Sequence, residues 1–394
     1  MKRVRDKFAV CSAIVLGCIA LVSADPRQSV EDPRPWPAEN VQALDALSVH
    51  HTYITSDTAE DEGAAKEEYR LLYRTAVNLR IRSEPSAEAE TLEIIPQGTL
   101  LQVADYGNGD WYFVNVDGLL GYMSAEFLDF VAIRPAGAPM YIAGSVTVMD
   151  ADTGYVLYED AQHTLRYPAS ITKIMTALLV LEHVEDLSEP VEFSQIAVDL
   201  PWYAGHVGMY AGDTLPVIDA LYALMLVSGN EVALALAEHV SGSIEEFVYE
   251  MNRRAYSLGA VNTRFINPCG LPGADQHTTS YDMALIMRQA VQNPMFTQII
   301  ATPHAYLPPT ESRDNYRPMR NTNRLIQYDD TDFNEWVLGG KTGFTNDAQH
   351  TLVTYSEVNG RSVIISVLYV PQRGGTFSDT AVLLEYIAAR NTGE

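Results

Sequence analysis

Lysine is rare in most of this chain, and where it occurs it sits beside groups it could act on. From residue 70 to the C-terminus there are 17 arginines and only two lysines, Lys173 and Lys341. An arginine keeps its proton in a protein. A lysine that is desolvated or set beside another cation can be drawn toward neutrality and act as a base. Lys173 ends the run Pro168-Ala169-Ser170-Ile171-Thr172-Lys173, and Ser170 is the only serine in the chain with a lysine three places on. Three residues are nearly one helical turn, so the spacing puts hydroxyl and amine on one face, with helix-N-terminal amides beside the serine to hold an oxyanion. A surface pair turned to solvent is the plainer reading of the same spacing. Lys341 stands in Gly339-Gly340-Lys341-Thr342-Gly343-Phe344-Thr345, where glycines let an extended ligand approach an exposed backbone edge, unless the run is only a turn. Ser228-Gly229-Asn230 falls between two apolar runs, where its polar groups could project into a cleft or simply cap a helix.

The elements that must carry these residues follow from periodicity. Ser145 to Met149 and Tyr155 to Tyr158 flank Asp152-Thr153-Gly154, and Thr351 to Ser356 and Ser362 to Leu368 flank Asn359-Gly360, so a hairpin is predicted near each end of the segment. Between them Ile171–Val184, Val217–Val227, Val232–Val240, Ile244–Leu258 and Tyr281–Ala290 recur at helical spacing. This order predicts one antiparallel sheet built from both ends of the segment, a helical insert packed against it, and a cleft where they meet.

The rest of the chain predicts export and a second domain. Lys2, Arg3, Arg5 and Lys7 precede an apolar run from Phe8 to Val22, and Val22-Ser23-Ala24 supplies a small-residue cleavage site, so residues 1–24 read as an export signal. An uncleaved membrane anchor over the same run, or lipidation at Cys18, are the alternatives. Only Cys269 lies outside that signal, so the mature chain has no intramolecular disulfide available. Residues 25–69, with Pro33, Pro35, Pro37 and an acidic stretch, read as a solvated linker. Residues 70–131 carry short β-runs, Asn78–Arg82, Thr99–Val103 and Trp111–Val116, divided by Gly98, Asn108-Gly109 and Asp117-Gly118, which predict a small all-β barrel. The net charge of −25 would repel phosphate backbones, so no nucleic-acid partner is expected.

Two resemblances sharpen these expectations. The strings AVNLRIRSEPS, IPQGTLLQV and DWYFVNVDGLLGYMSAEFL resemble a bacterial SH3 domain, a wall-associated module, which implies peptidoglycan binding through an aromatic groove with Tyr106, Trp111, Tyr112 and Tyr122 as candidates. The alternative is a spacer whose rings are core. Ser-x-x-Lys, then Ser-x-Asn 58 residues after Ser170, then Lys-Thr-Gly, is the ordered signature of penicillin-binding serine enzymes. The strings DADTGYVLYEDAQHTLRYPASITKIMTALL, YAGDTLPVIDALYALMLVSGNEVALALAEHVSGS and GGKTGFT, within residues 138–394, resemble the exported D-alanyl-D-alanine carboxypeptidases. The implied fold is a multidomain chain, an SH3-like barrel followed by an α/β penicillin-binding/β-lactamase-like domain. The resemblance implies Ser170 as nucleophile, Lys173 as its base and Ser228 as proton relay to the leaving D-alanine. It implies Asn230, Lys341, Thr342, Gly343 and Phe344 as substrate-binding residues, with the Ser170 and Phe344 N–H groups as the oxyanion hole. Peptidoglycan stem peptides and β-lactams are the implied ligands, with no metal or organic cofactor.

Three positions depart from the family pattern: Cys269 replaces a usual His or Asn, Gln349 a usual Gly, and Thr376 the arginine usual before Phe377, with Arg373 the nearest substitute. Histidines show neither His-x-x-x-His nor His-Glu-x-x-His, so a zinc peptidase has no visible ligand set. A β-lactamase is the nearest rival enzyme, although the glutamate setting of its class A form is absent between Asn230 and Lys341. A catalytically inactive wall-binding protein is the non-enzymatic alternative.

Overall fold

The computed structural model describes residues 69–390 apart from 106–108, 117, 136, 202 and 203. The export-signal reading of 1–24, the linker reading short of Tyr69, and Tyr106 lie outside the described residues. No helix among the described residues is long and apolar enough to cross a membrane.

Seven strands form the first domain: β1 (Tyr69–Thr75), β2 (Leu79–Arg82), β3 (Thr91–Ile95), β4 (Leu100–Asp105), β5 (Trp111–Val116), β6 (Leu119–Ser124) and β7 (Leu128–Pro135). They hydrogen-bond in the order β3-β2-β6-β5-β4-β1-β7. The sheet therefore begins one residue before the expected boundary at 70 and continues past 131. Its small core is built from period-two alternation: Val114, Val116 and Met123 are buried, and the Tyr112 ring packs on that core, edge-on to Tyr73 at 5.6 Å. Tyr112 thus shares the inward face with Val114, which favours the alternative that its ring belongs to the core. Trp111 and Phe113 alternate to the other face, where Phe113 pairs in register with Tyr122, the rings 5.1 Å apart.

The larger domain is a five-stranded antiparallel sheet of β8 (Ser145–Asp150), β9 (Val156–Asp160), β14 (Val337–Thr345), β15 (Gln349–Val358) and β16 (Arg361–Val370), in the order β14-β15-β16-β8-β9. The β15–β16 turn places Asn359 at φ 52 and Gly360 at φ 78, the left-handed pair that a two-residue hairpin needs. Between β9 and β14 the chain forms α1 (Lys173–His183), β10 (Pro190–Glu192), α2 (Gln195–Val198), β11 (Thr214–Pro216), α3 (Val217–Leu226), α4 (Asn230–Ser241), α5 (Ile244–Ser257), α6 (Ser280–Ala290), α7 (Pro294–Ile300), β12 (His304–Leu307) and β13 (Arg317–Arg320). The strand pairs β10–β11 and β12–β13 are small ribbons beside the helices.

The sheet is covered on both faces, which the helical insert alone does not achieve. Met149, Val353, Ile364 and Leu368 join the core of the insert, whereas Val148, Leu352, Val363 and Ile365 join a second core under the last helix, α8 (Gly375–Arg390), through Leu383, Leu384 and Ile387. Alternate residues of one strand thus enter opposite cores, so β15 and β16 read as nearly continuous apolar runs. α1 is buried along the whole stretch Lys173–Val180, which makes it the central helix of the insert.

α8 is fastened by charge as well as packing. The Asp379 carboxylate, 3% exposed, accepts the backbone N–H of Ala143 at 2.8 Å and of Ile142 at 3.2 Å, tying the segment before β8 to the end of the chain. Asp379→Ala would strand those donors away from water. The expected cost is about 3 kcal/mol, a melting temperature lower by roughly 6–12 °C in thermal unfolding.

Candidate active site

Ser170 lies in a 3-10 turn, Ala169–Thr172, that runs directly into α1, rather than in the first turn of an α-helix. The turn begins at a strained point: Ala169 has φ 51, a conformation costly for a residue with a Cβ. Two neighbours hold it. The Thr172 hydroxyl donates to the Ala169 carbonyl at 2.8 Å, and the Thr351 hydroxyl of β15 donates to the Pro168 carbonyl at 3.2 Å. Gly270 makes room, since a Cβ there would stand 1.9 Å from the Ala169 carbonyl oxygen. From the other side Gly343 of β14 does the same, because its Cβ would meet the Ser170 backbone nitrogen at 2.8 Å. The turn is thus clasped between the 270 loop and the edge strand β14.

The Lys173 amine is fully buried and 3.1 Å from Ser170 Oγ. It donates to Asn230 Oδ1 at 2.7 Å and to the Cys269 carbonyl at 2.6 Å. A neutral amine has two N–H groups and one lone pair, so with both N–H groups taken by these oxygens the lone pair is left for the Ser170 hydroxyl proton. Burial lowers the Lys173 pKa to about 8, against a smaller upward pull from Cys269 and Glu231. Burial also raises the Cys269 thiol, so it stays uncharged at neutral pH and gives Lys173 no counter-charge there. The Lys341 ammonium, 1% exposed, donates to the Thr342 carbonyl at 2.9 Å, and burial first, then the Lys173 charge, holds its pKa well below the usual lysine value. Burial lowers both amines, and the Lys173 charge adds to the effect on Lys341, which makes a site where one proton is readily given up.

The remaining sequence-derived residues fall into place unevenly. Asn230, the first residue of α4, donates Nδ2–H to the Gly205 carbonyl at 2.8 Å, leaving one amide N–H and one lone pair for a ligand. Ser228 sits between α3 and α4 at φ 62, and its buried hydroxyl has no hydrogen-bond partner among the described residues, so the structure does not join it to Ser170 or Lys173. The Thr342 and Thr322 hydroxyls share a hydrogen bond of 2.6 Å, and Phe344, 53% exposed, stacks on His350 with ring centroids 4.4 Å apart. Burial and the nearby Arg373 guanidinium lower the His350 pKa, so that ring is uncharged at neutral pH.

Sequence reasoning missed the groups that act through the backbone. The Cys269 carbonyl and the Gly205 carbonyl hold Lys173 and Asn230, yet a carbonyl is present at every residue and gives no residue-type signal. Cys269 itself is buried, with Sγ 3.3 Å from Asn267 Oδ1, as expected of a small core side chain. Gln349 adopts φ 55, the left-handed conformation that explains why glycine would be usual there. Thr376 is buried, while Arg373 lies exposed after β16.

Comparison with known proteins adds lineage to this geometry. Residues 134–372 match a family model described as D-alanyl-D-alanine carboxypeptidase, and residues 77–129 match one described as bacterial SH3 domain. A D-alanyl-D-alanine carboxypeptidase of Bacillus subtilis, DacF, is 35% identical over 231 residues, 58% of this chain and 57% of that protein. The Mycobacterium tuberculosis carboxypeptidase DacB2 is 35% identical over 259 residues, 64% of this chain and 85% of that protein. The crystal structure of the Streptomyces K15 DD-transpeptidase superposes with a TM-score of 0.59 at 28% identity, covering 64% of this chain and 98% of that one.

The electrostatics predict a visible titration. With selectively 13C-labelled lysine, the Lys173 Cε resonance should titrate near pH 8 rather than near its ordinary 10.5. A midpoint at the ordinary value would contradict the buried-amine reading.

Proposed function

This chain belongs to the D-alanyl-D-alanine carboxypeptidase family, and on that premise we propose that it is an exported serine enzyme that removes the terminal D-alanine from peptidoglycan stem pentapeptides. The observation that carries the reading is the 3.1 Å approach of Ser170 Oγ to a buried amine whose other two hydrogen bonds are already made.

Each step follows from what those groups can do. Ser170 Oγ attacks the carbonyl between the two D-alanines as Lys173 takes its proton. The oxyanion is held by the backbone N–H groups of Ser170 and Phe344, on the two sides of the Gly343 contact. The tetrahedral intermediate collapses as the C–N bond breaks. The proton on Lys173 reaches the departing amine by way of the Ser228 hydroxyl, which bonds no group among the described residues and turns toward the amine for this step. Asn230 offers its remaining amide N–H to the substrate backbone, while Lys341 and Thr342 receive the terminal carboxylate, whose arrival offsets the cost of burying the Lys341 ammonium. Water then hydrolyses the acyl-enzyme. A β-lactam presents the same carbonyl and carboxylate, and opening its ring leaves Ser170 acylated.

The barrel, on this reading, adds a contact with the wall. A cleft of about 850 Å³ on it is lined in part by Val77, Arg80, Asp110, Trp111, Glu126 and Phe127. Charges of both signs beside aromatic surface suit a zwitterionic peptide better than a polyanion. Of the groove candidates described, Trp111 is the one that lines this cleft.

Two measurements test the proposal. Penicillin should add its mass to the peptide containing Ser170, and a pentapeptide ending in D-alanyl-D-alanine should release D-alanine. Ser170→Ala should lose both, and an unmodified Ser170 in folded protein would refute the assignment. For the barrel, Trp111→Ala in the Ser170→Ala background should weaken sedimentation with purified peptidoglycan several-fold, and unchanged sedimentation would rule out this cleft.

A further inference from the structure

Next to Asn230 in the chain stands an acid for which the proposed chemistry has no use. Glu231 is 2% exposed, and burying a carboxylate is expensive unless it is well bonded. One of its oxygens, Oε1, accepts three consecutive backbone N–H groups, from Val207 at 2.7 Å, Gly208 at 2.9 Å and Met209 at 3.5 Å. The other, Oε2, is buried with no hydrogen-bond partner among the described residues. Arg317 of β13 holds the same loop from its carbonyl side, donating to Val207 O at 2.6 Å and Gly208 O at 3.3 Å. An anion collects the loop's N–H groups while a cation collects its carbonyls.

That loop reaches the catalytic lysine in two steps. Its Gly205 carbonyl accepts both the backbone N–H of Asn230 at 3.2 Å and the Asn230 side-chain N–H at 2.8 Å. Asn230 Oδ1 in turn accepts from Lys173 Nζ. With its N–H fixed on Gly205, the Asn230 amide can only present oxygen to Lys173. A flipped amide would offer a donor there, and the lysine lone pair would turn away from Ser170.

We propose that Glu231 is a positioning residue for the Ser170–Lys173 pair, tying the Val207–Met209 backbone to α4 so that Gly205 orients the Asn230 amide toward Lys173. Its charge has a second consequence. As Lys173 takes the serine proton it becomes an ammonium in a buried site, and a nearby carboxylate favours that form. The groups facing Lys173 are Ser170, Asn230 and Glu231 of α4, Cys269 and Lys341 of β14, while Arg317, with Arg313 and Asp213 beside it, faces Glu231. Among the groups facing Lys173, Glu231 is the carboxylate whose charge favours its ammonium form.

This inference rests on the serine-acylation reading, and the test separates the two. The second-order rate of Ser170 acylation by benzylpenicillin is measured against pH, alongside the 13Cε titration of Lys173, which needs no acyl donor. Glu231→Gln keeps an oxygen for the loop but removes the charge. Its acid limb and its Lys173 midpoint should both fall by about one pH unit, with a several-fold lower plateau from the weaker base. Glu231→Asp keeps the charge but shortens the reach by one methylene, so its limb should stay put while its plateau falls several-fold. An unmoved limb and midpoint in folded Glu231→Gln would overturn the charge role, and a wild-type plateau in Glu231→Asp would overturn the positioning role. Absence of any Ser170 adduct in the wild type would instead refute the acylation reading, leaving the Lys173 midpoint to decide on Glu231.

Discussion

The arrangement depends on one buried amine. Lys173 lies at the start of a helix whose first eight residues are buried on every side, and its three hydrogen-bonding oxygens come from three separate parts of the chain: the turn before α1, the start of α4 and the 270 loop. An ammonium in such a place loses much of its hydration, which is what lowers its proton affinity. The same burial means that any displacement of α4 or of the 270 loop changes the chemistry of Ser170, because those elements carry the two oxygens that take the amine's N–H groups.

Close backbone approach is the second constraint. Ser170 sits in a strained turn that stays in place because Gly270 and Gly343 bring backbone to within the space a methyl group would occupy. Strain of this kind persists only where surrounding structure over-determines it. Here the determining elements are the edge strand β14, the Thr351 hydroxyl of β15 and the loop after α5. The central sheet, clamped between two cores and fastened by Asp379, gives that edge strand a fixed position.

Much of this was legible in the chain, and for identifiable reasons. Strand alternation, the Asn359-Gly360 turn and helical periodicity are local signals, and they located the sheet and the insert to within a few residues. Ser170 with Lys173, and the glycines around Lys341, were legible because their residue types are unusual for their surroundings. The barrel shows the limit: Tyr112 and Trp111 are adjacent aromatic residues, and only the direction of the pleat sends one into the core and the other to the cleft.

Spacing and residue type by themselves determined the two-domain order, the antiparallel sheet with its helical insert, and the short list of groups able to do chemistry, since each depends on interactions within a few residues or on side-chain composition. Tertiary structure alone decided that Lys173 is buried, that the Cys269 carbonyl holds it and the Gly205 carbonyl holds Asn230, that Ser228 has no hydrogen-bond partner among the described residues, and that Glu231 faces inward. Those facts join groups up to 96 positions apart. Burial and backbone contact at such separations are properties of how the chain is packed, and no residue advertises them.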